Sequence, residues 1–142
     1  MLKLLIAIDG SPYSDHAVDY ALHRAARSSD AVRVHLLNVQ TALQGVNVKL
    51  FISPDSIESY YRDEGMAVLQ PARARLEAAG LGCEIHIGVG DAGEVIVAYA
   101  EHLQCDEIVM GTHGRGVLAG AVMGSVAQKV IQLATIPVVL VK

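Results

Sequence analysis

The chain has 142 residues, 52% of them hydrophobic, and a formal net charge of −4, enough apolar material for the core of one ordinary domain. Its basic residues are scattered and do not form the stripe that phosphate-backbone binding needs, so nucleic acid is excluded as a partner. No stretch approaches the roughly 18 apolar residues of a membrane span, and the short apolar run after Lys3 cannot serve as a signal-peptide core, so a soluble, cytoplasmic protein without membrane insertion is expected.

Leu2 to Ile8 is a nearly continuous apolar run that ends at Asp9-Gly10-Ser11-Pro12, the pattern of a strand buried on both faces and followed by a turn. Ser14 is positioned to cap a helix in which Ala17, Val18, Ala21, Leu22 and Ala25 recur at helical spacing. Val32 to Val39 reads as a second strand. Residues Gln40 to Pro54 carry no clean period and are expected to connect it to a long helix. That helix starts at Ser53 or Asp55, runs to about Ala79 and is closed by Gly80. Pro71 lies inside it, where the missing backbone donor predicts a kink or a split.

Cys83 to Val89 alternates with period two, and a third helix is expected from about Glu94 to Leu103. Asp106 to Met110 is a fourth strand. The glycine-rich segment Gly111 to Gly124 leads into a helix over Ser125 to Ala134, and Ile136 to Val141 is a last β-branched run. Strands alternating with helices along one chain predict a single doubly wound α/β domain over residues 1–142, with a mainly parallel sheet. Aromatic residues make up only 4% of the chain, so its core must come from Ala, Val, Leu and Ile. Cys83 and Cys105 have neither metal-site nor redox-pair spacing and are expected to be reduced thiols.

The chemistry is concentrated where the fourth strand ends and the last helix begins. The first turn of a helix leaves N–H groups without partners and carries about half a positive charge, so a phosphate can be held there without a basic side chain. Glycines at both ends of the loop let the main chain approach oxygen atoms closely. Ser125 can add a hydroxyl, and Arg115 or Lys129 can add charge. Gly120 to Ser125 lacks the Lys of a Walker A loop. The glycines at 114, 116 and 120 do not lie in the first strand-to-helix turn, where a dinucleotide fingerprint belongs.

The spacing is Gly111, two residues, Gly114, nine residues, then Gly124-Ser125. In this it resembles the ATP-binding branch of the universal stress protein family, whose signature is G-x2-G-x9-G-[S/T]. The opening Leu4-Leu5-Ile6-Ala7-Ile8-Asp9-Gly10-Ser11, the segment Gly111 to Gly116 and the closing Ile136-Pro137-Val138-Val139 extend the resemblance over essentially the whole chain. It implies five strands in the order 3-2-1-4-5 and an adenine nucleotide, ATP or else ADP or AMP, as ligand. Asp9 would approach the ribose and any Mg²⁺, with Ala7 and Ile8 under the nucleoside and the main chain of Val39 against adenine. Met110, Gly111, His113, Gly114, Arg115, Gly124, Ser125 and Val126 would surround ribose and phosphates. Asn38, where relatives commonly have His, and Gly93, where a residue beside a Pro is frequent, depart from the family pattern.

Strand-end geometry agrees with that placement, because ligands of open α/β sheets bind beyond the carboxyl ends of strands where the winding reverses. Of the six histidines, His113 alone falls in the glycine loop; His16, His23, His35, His86 and His102 read as structural or exposed. No Ser/His/Asp or paired-carboxylate set is evident. Pro137 suits an edge strand, yet Val138 to Val141 would then be an apolar edge that needs cover. The resemblance implies that this edge pairs antiparallel across a two-fold axis in a homodimer. A nucleotide-dependent stress or regulatory protein is the leading expectation, beside a slow Mg²⁺-dependent ATPase and a partner-binding adaptor with an empty pocket.

Overall fold

A computed structural model describes residues 1–42, 53–114 and 123–142. Its elements, in chain order, are β1 (Leu2–Ala7), α1 (Pro12–Arg27), β2 (Val32–Gln40), α2 (Pro54–Ala78), β3 (Cys83–Val89), α3 (Ala92–His102), β4 (Glu107–Gly111), α4 (Ser125–Leu133) and β5 (Val138–Val141). The five strands form one sheet in the order β3-β2-β1-β4-β5, and every pairing is parallel. This is the doubly wound α/β arrangement expected, with β1 at the centre and the chain reversing its winding between β1 and β4.

The period of two in the strands divides the core into two layers. Leu4, Ile6, Val34 and Leu36 point to one face and are fully buried beneath Ala17, Val18 and Ala21 of α1 and Leu69 and Leu76 of α2. Leu5, Leu37 and Ile108 point to the other, beneath Ile96 and Ala100 of α3 and Ala127 and Val130 of α4. Both faces of the three inner strands are thus covered, which explains why β1 reads as a continuous apolar run. Each fully buried Leu or Ile contributes about 1.5–3 kcal/mol. Among the described residues no helix is long and apolar enough to cross a membrane.

Local chemistry sets the helix ends, and two helix starts differ from expectation. α1 is capped by Ser11, whose side chain accepts from the Ser14 N–H, with Pro12 in the first turn. Ser14 lies inside the helix and donates its hydroxyl to the Ser11 carbonyl at 2.9 Å. Two serines three residues apart both satisfy the capping pattern, and Pro12 decides between them because its fixed φ suits the first helical position. α3 starts at Ala92, earlier than expected, because Asp91 caps it by accepting from the Glu94 N–H.

α2 runs unbroken through Pro71, so the expected split does not occur. Pro71 and Ala67 are both exposed, and water can take the Ala67 carbonyl that Pro71 leaves without a donor, while Leu69, Ala72 and Leu76 hold the helix to the core. Gly80 closes it at a φ of +76°. There the Gly80 N–H reaches the Glu77 carbonyl and the Leu81 N–H reaches the Leu76 carbonyl, each at 2.9 Å, a Schellman turn that favours glycine.

Candidate functional site

Every parallel strand in this sheet hands its carboxyl end to a loop, and the loops after β1 and β4 lie side by side because those strands pair. Between them opens a cavity of about 490 Å³, at the switch point where α/β sheets bind ligands. β1 and its loop contribute Ala7, Ile8 and Asp9, and β2 contributes Leu37 and Val39. Met110, Gly111, Thr112, His113 and Gly114 come from β4 and the segment after it. Gly124, Ser125 and Val126 come from the start of α4, with Ala127 and Gln128 behind them. Arg115 lies outside the described residues.

The end of β1 is held in place by two hydrogen-bonding residues. The buried Asn38 donates its side-chain N–H to the Ile8 carbonyl at 2.8 Å and accepts from the Gln40 amide at 2.5 Å. An Asn at this position therefore ties β2 to the last turn of β1. Beyond it, the Asp9 carboxylate accepts from the Ser11 N–H at 2.9 Å, an Asx turn that leads into α1. The second carboxylate oxygen lies against Gly114, where an added Cβ would come within 2.5 Å of it. The absence of a side chain at position 114 lets the loop after β4 close on Asp9.

On the opposite wall, the Thr112 N–H donates to the Val141 carbonyl at 2.9 Å and its own carbonyl accepts from the Gly124 N–H at 2.6 Å. Those two bonds fix where α4 begins. The His113 ring sits 5.2 Å from that of Tyr13 and is tilted against it, with Nδ1 3.0 Å from the Thr112 hydroxyl. Gly111 packs so tightly on Tyr13 that an added Cβ would meet the Tyr13 Cβ at 2.5 Å.

Helix starts differ in one respect that matters here. Ser11, Ser53 and Asp91 each accept a hydrogen bond at the head of their own helix, whereas Gly124 at the head of α4 supplies none. The N–H groups of Ser125, Val126 and Ala127 have no partner inside the helix, and all three residues line the cavity. Among the described lining residues Asp9 is the sole carboxylate, and none is Lys or Arg. Lys129, considered above as a source of charge, instead lies against Gly93 with its ammonium 3.7 Å from Glu94. Main-chain dipoles are therefore the positive groups that the described part of this cavity offers.

All the site residues expected from the sequence, Arg115 apart, face this one cavity. Sequence reasoning missed Leu37, Thr112, Ala92, Ile96 and Met123, which complete its apolar wall and floor. The parallel register of β2 with β1, which sets Leu37 opposite Ala7, is what places Leu37 there, and that register is not readable from spacing alone.

The family model described as the Universal stress protein family matches residues 1–142. Universal stress protein YxiE of Bacillus subtilis is 29% identical over 145 residues, covering 99% of this chain and 98% of the relative. The solved structure of MJ0577, a universal stress protein of Methanocaldococcus jannaschii, superposes with a TM-score of 0.82 at 28% identity, over 99% of this chain and 94% of the other. A universal stress protein family structure from Arabidopsis thaliana, with AMP bound, has the same fold at a TM-score of 0.70 and 22% identity, covering 100% and 92% of the two chains.

Proposed function

The chain belongs to the universal stress protein family, and from that premise we propose that its cavity binds an adenine nucleotide, ATP foremost, with ADP and AMP as the shorter occupants. The observation that carries this reading is the start of α4. Its cap residue offers no side-chain acceptor, and the residues whose N–H groups have no partner inside the helix line a cavity about 490 Å³ in volume. That arrangement suits phosphate oxygens, while Ala7, Ile8, Leu37 and Val39 supply an apolar wall for a base and ribose. The AMP held by the Arabidopsis relative supports an adenine nucleotide as the occupant.

In this reading Asp9 faces the ribose and any Mg²⁺ that accompanies the phosphates. One carboxylate is the usual protein contribution to such an ion, the remaining ligands being water and phosphate oxygens. Nucleotide occupancy then acts as a signal in a cytoplasmic stress or regulatory protein. Its working unit is a homodimer built on the segment from Ile136 to Val141. β5 supports the dimer, since Val138 to Val141 form a half-buried apolar strand at the sheet edge, the kind of edge that proteins cover.

Mass spectrometry of ligand released from freshly purified protein, followed by calorimetry with ATP, ADP and AMP, tests the site. An adenine nucleotide in the extract and saturable ATP binding are expected. A clean apo protein that also fails to bind added ATP rejects the reading. Light scattering that finds only monomer at micromolar concentration removes the dimer and leaves the site standing. Phosphate release no faster than that of a Gly114→Val variant assigns the site to binding alone.

A further inference from the structure

Outside the nucleotide cavity, the described part of the molecule holds one group of side chains with metal-ligand chemistry: His35 on β2 with Glu84 and His86 on β3. Glu84 and His86 are two residues apart on one strand, so they share a face of the sheet. The parallel register sets His35 opposite Glu84 and Leu37 opposite His86, which brings the three side chains together. His35 Nδ1 is 3.0 Å from His86 Nε2 and 3.5 Å from Glu84 Oε2. One ligand atom from each residue lies within 4.8 Å of the others.

We propose that His35, Glu84 and His86 form a metal site that binds zinc(II), with water in the fourth position. Two Zn–N bonds of about 2.1 Å at a tetrahedral angle place the nitrogens about 3.4 Å apart. The imidazole pair therefore needs to open by only about 0.4 Å, and the carboxylate is already at that separation from His35. Two His and one carboxylate with an open position is an established zinc ligand set.

The surroundings favour this use. His35 is 4% exposed and Glu84 is half exposed, so the ion enters from the carboxylate side and finds a dry, fixed imidazole behind. Arg33 holds the other Glu84 oxygen, with Nη2 2.8 Å from Oε1, which leaves Oε2 directed to His35. Outer-shell contacts of this kind orient ligands and tune affinity. The His86 ring is backed by Tyr99, with centroids 5.7 Å apart. Placement on two paired strands fixes the geometry better than a loop would, and a bound ion would staple the edge strand β3 to β2. As the apo pair stands, the two facing nitrogens share one proton; on metal binding it moves to the far nitrogen of its own ring.

Calorimetry of tag-free, metal-stripped full-length protein with zinc chloride as the probe tests the site, with cobalt(II) absorption as a second readout. One saturable zinc per chain at micromolar concentration is expected, together with visible d–d bands of the cobalt form. Loss of an outer-shell partner alone costs 10–100-fold in affinity, so Glu84→Gln and His86→Gln should each weaken zinc binding at least about tenfold. His23→Gln and His102→Gln, exposed histidines elsewhere, should leave it unchanged. The half-exposed Glu84→Gln variant keeps the test decisive if His86→Gln fails to fold. Absence of saturable zinc binding, or a folded Glu84→Gln variant that binds zinc as tightly as the parent, overturns the proposal. Neither result bears on the nucleotide cavity, which shares none of the three residues.

Discussion

At the carboxyl ends of β1 and β4, the missing side chain of Gly114 brings main chain against Asp9, and the first residues of α4 line a cavity. On β2 and β3, two imidazoles and a carboxylate meet side chain to side chain. As proposed, the first region would recognise by the shape and dipoles of the backbone, the second by the identity of three residues. A backbone site tolerates many side chains but no added bulk at its glycines. A side-chain site tolerates bulk nearby but no change of chemistry.

The sharpest way to break that contrast is to add atoms to the glycine wall. Gly114→Val puts a Cβ where the Asp9 carboxylate now lies, and overpacking of this kind costs about 1–3 kcal/mol. Because the displaced group is a side-chain carboxylate lining the cavity and not main chain, the cost should fall on ligand binding. Calorimetry is expected to find nucleotide affinity reduced about ten- to hundredfold with little change in melting temperature. Unchanged affinity would mean that Gly114 does not shape the site.

Asn38 sits between the two regions and tests whether they are mechanically joined. Replacing it with Leu leaves the Ile8 carbonyl without the donor it now has, and a buried unsatisfied group costs about 1–3 kcal/mol. Chemical denaturation should register that loss, and nucleotide affinity should fall with it because Ile8 and Asp9 lose their anchor. Stability lost with affinity intact would separate the strand tie from the site.

The smallest effect concerns the histidines. Burial pushes His35 below its usual value; Glu84 opposes that shift, while His86, Arg33 and Lys3 reinforce it. Burial also lowers His86, again against Glu84. An imidazole lowered in the folded state takes up its proton more readily when unfolded. Stability from the pair is therefore complete above the unfolded value of about 6.5 and is lost as pH falls through that value toward the folded one. Melting temperature in metal-free buffer should drop between about pH 7 and pH 5, and His86→Gln should flatten the slope. A parent curve level across that window would show that the pair carries no such linkage.

The alternation of strands and helices was legible because its signals are local, whereas the strand order and most residues of the cavity came from the family resemblance. Apolar runs bounded by turn residues mark doubly covered strands, and glycine spacing marks a loop that must pass close to other atoms. Helix starts were less legible where two residues compete, as with Ser11 and Ser14, or where the cap precedes the periodic segment, as Asp91 does for α3. Pro71 does not split α2, because the rule against proline in helices does not register whether water can take the abandoned carbonyl. The alternation of Cys83 to Val89 puts Glu84 and His86 on one face, but nothing in the sequence singled them out, because His35 lies 51 residues away from His86. Only the strand register brings it near.

The hydrogen bonds around Thr112 add a polar link between β5 and the head of α4, which already share one apolar core. Its N–H holds the last residue of the edge strand and its carbonyl holds the N–H of Gly124, where α4 begins. Whatever lies along that edge is therefore two hydrogen bonds from the residues that open α4 and line the cavity. A neighbour that shifts β5 lengthwise would tilt the head of α4, and an occupant that draws on α4 would reset the edge. Thr112 is the residue through which such a shift would pass from one surface to the other.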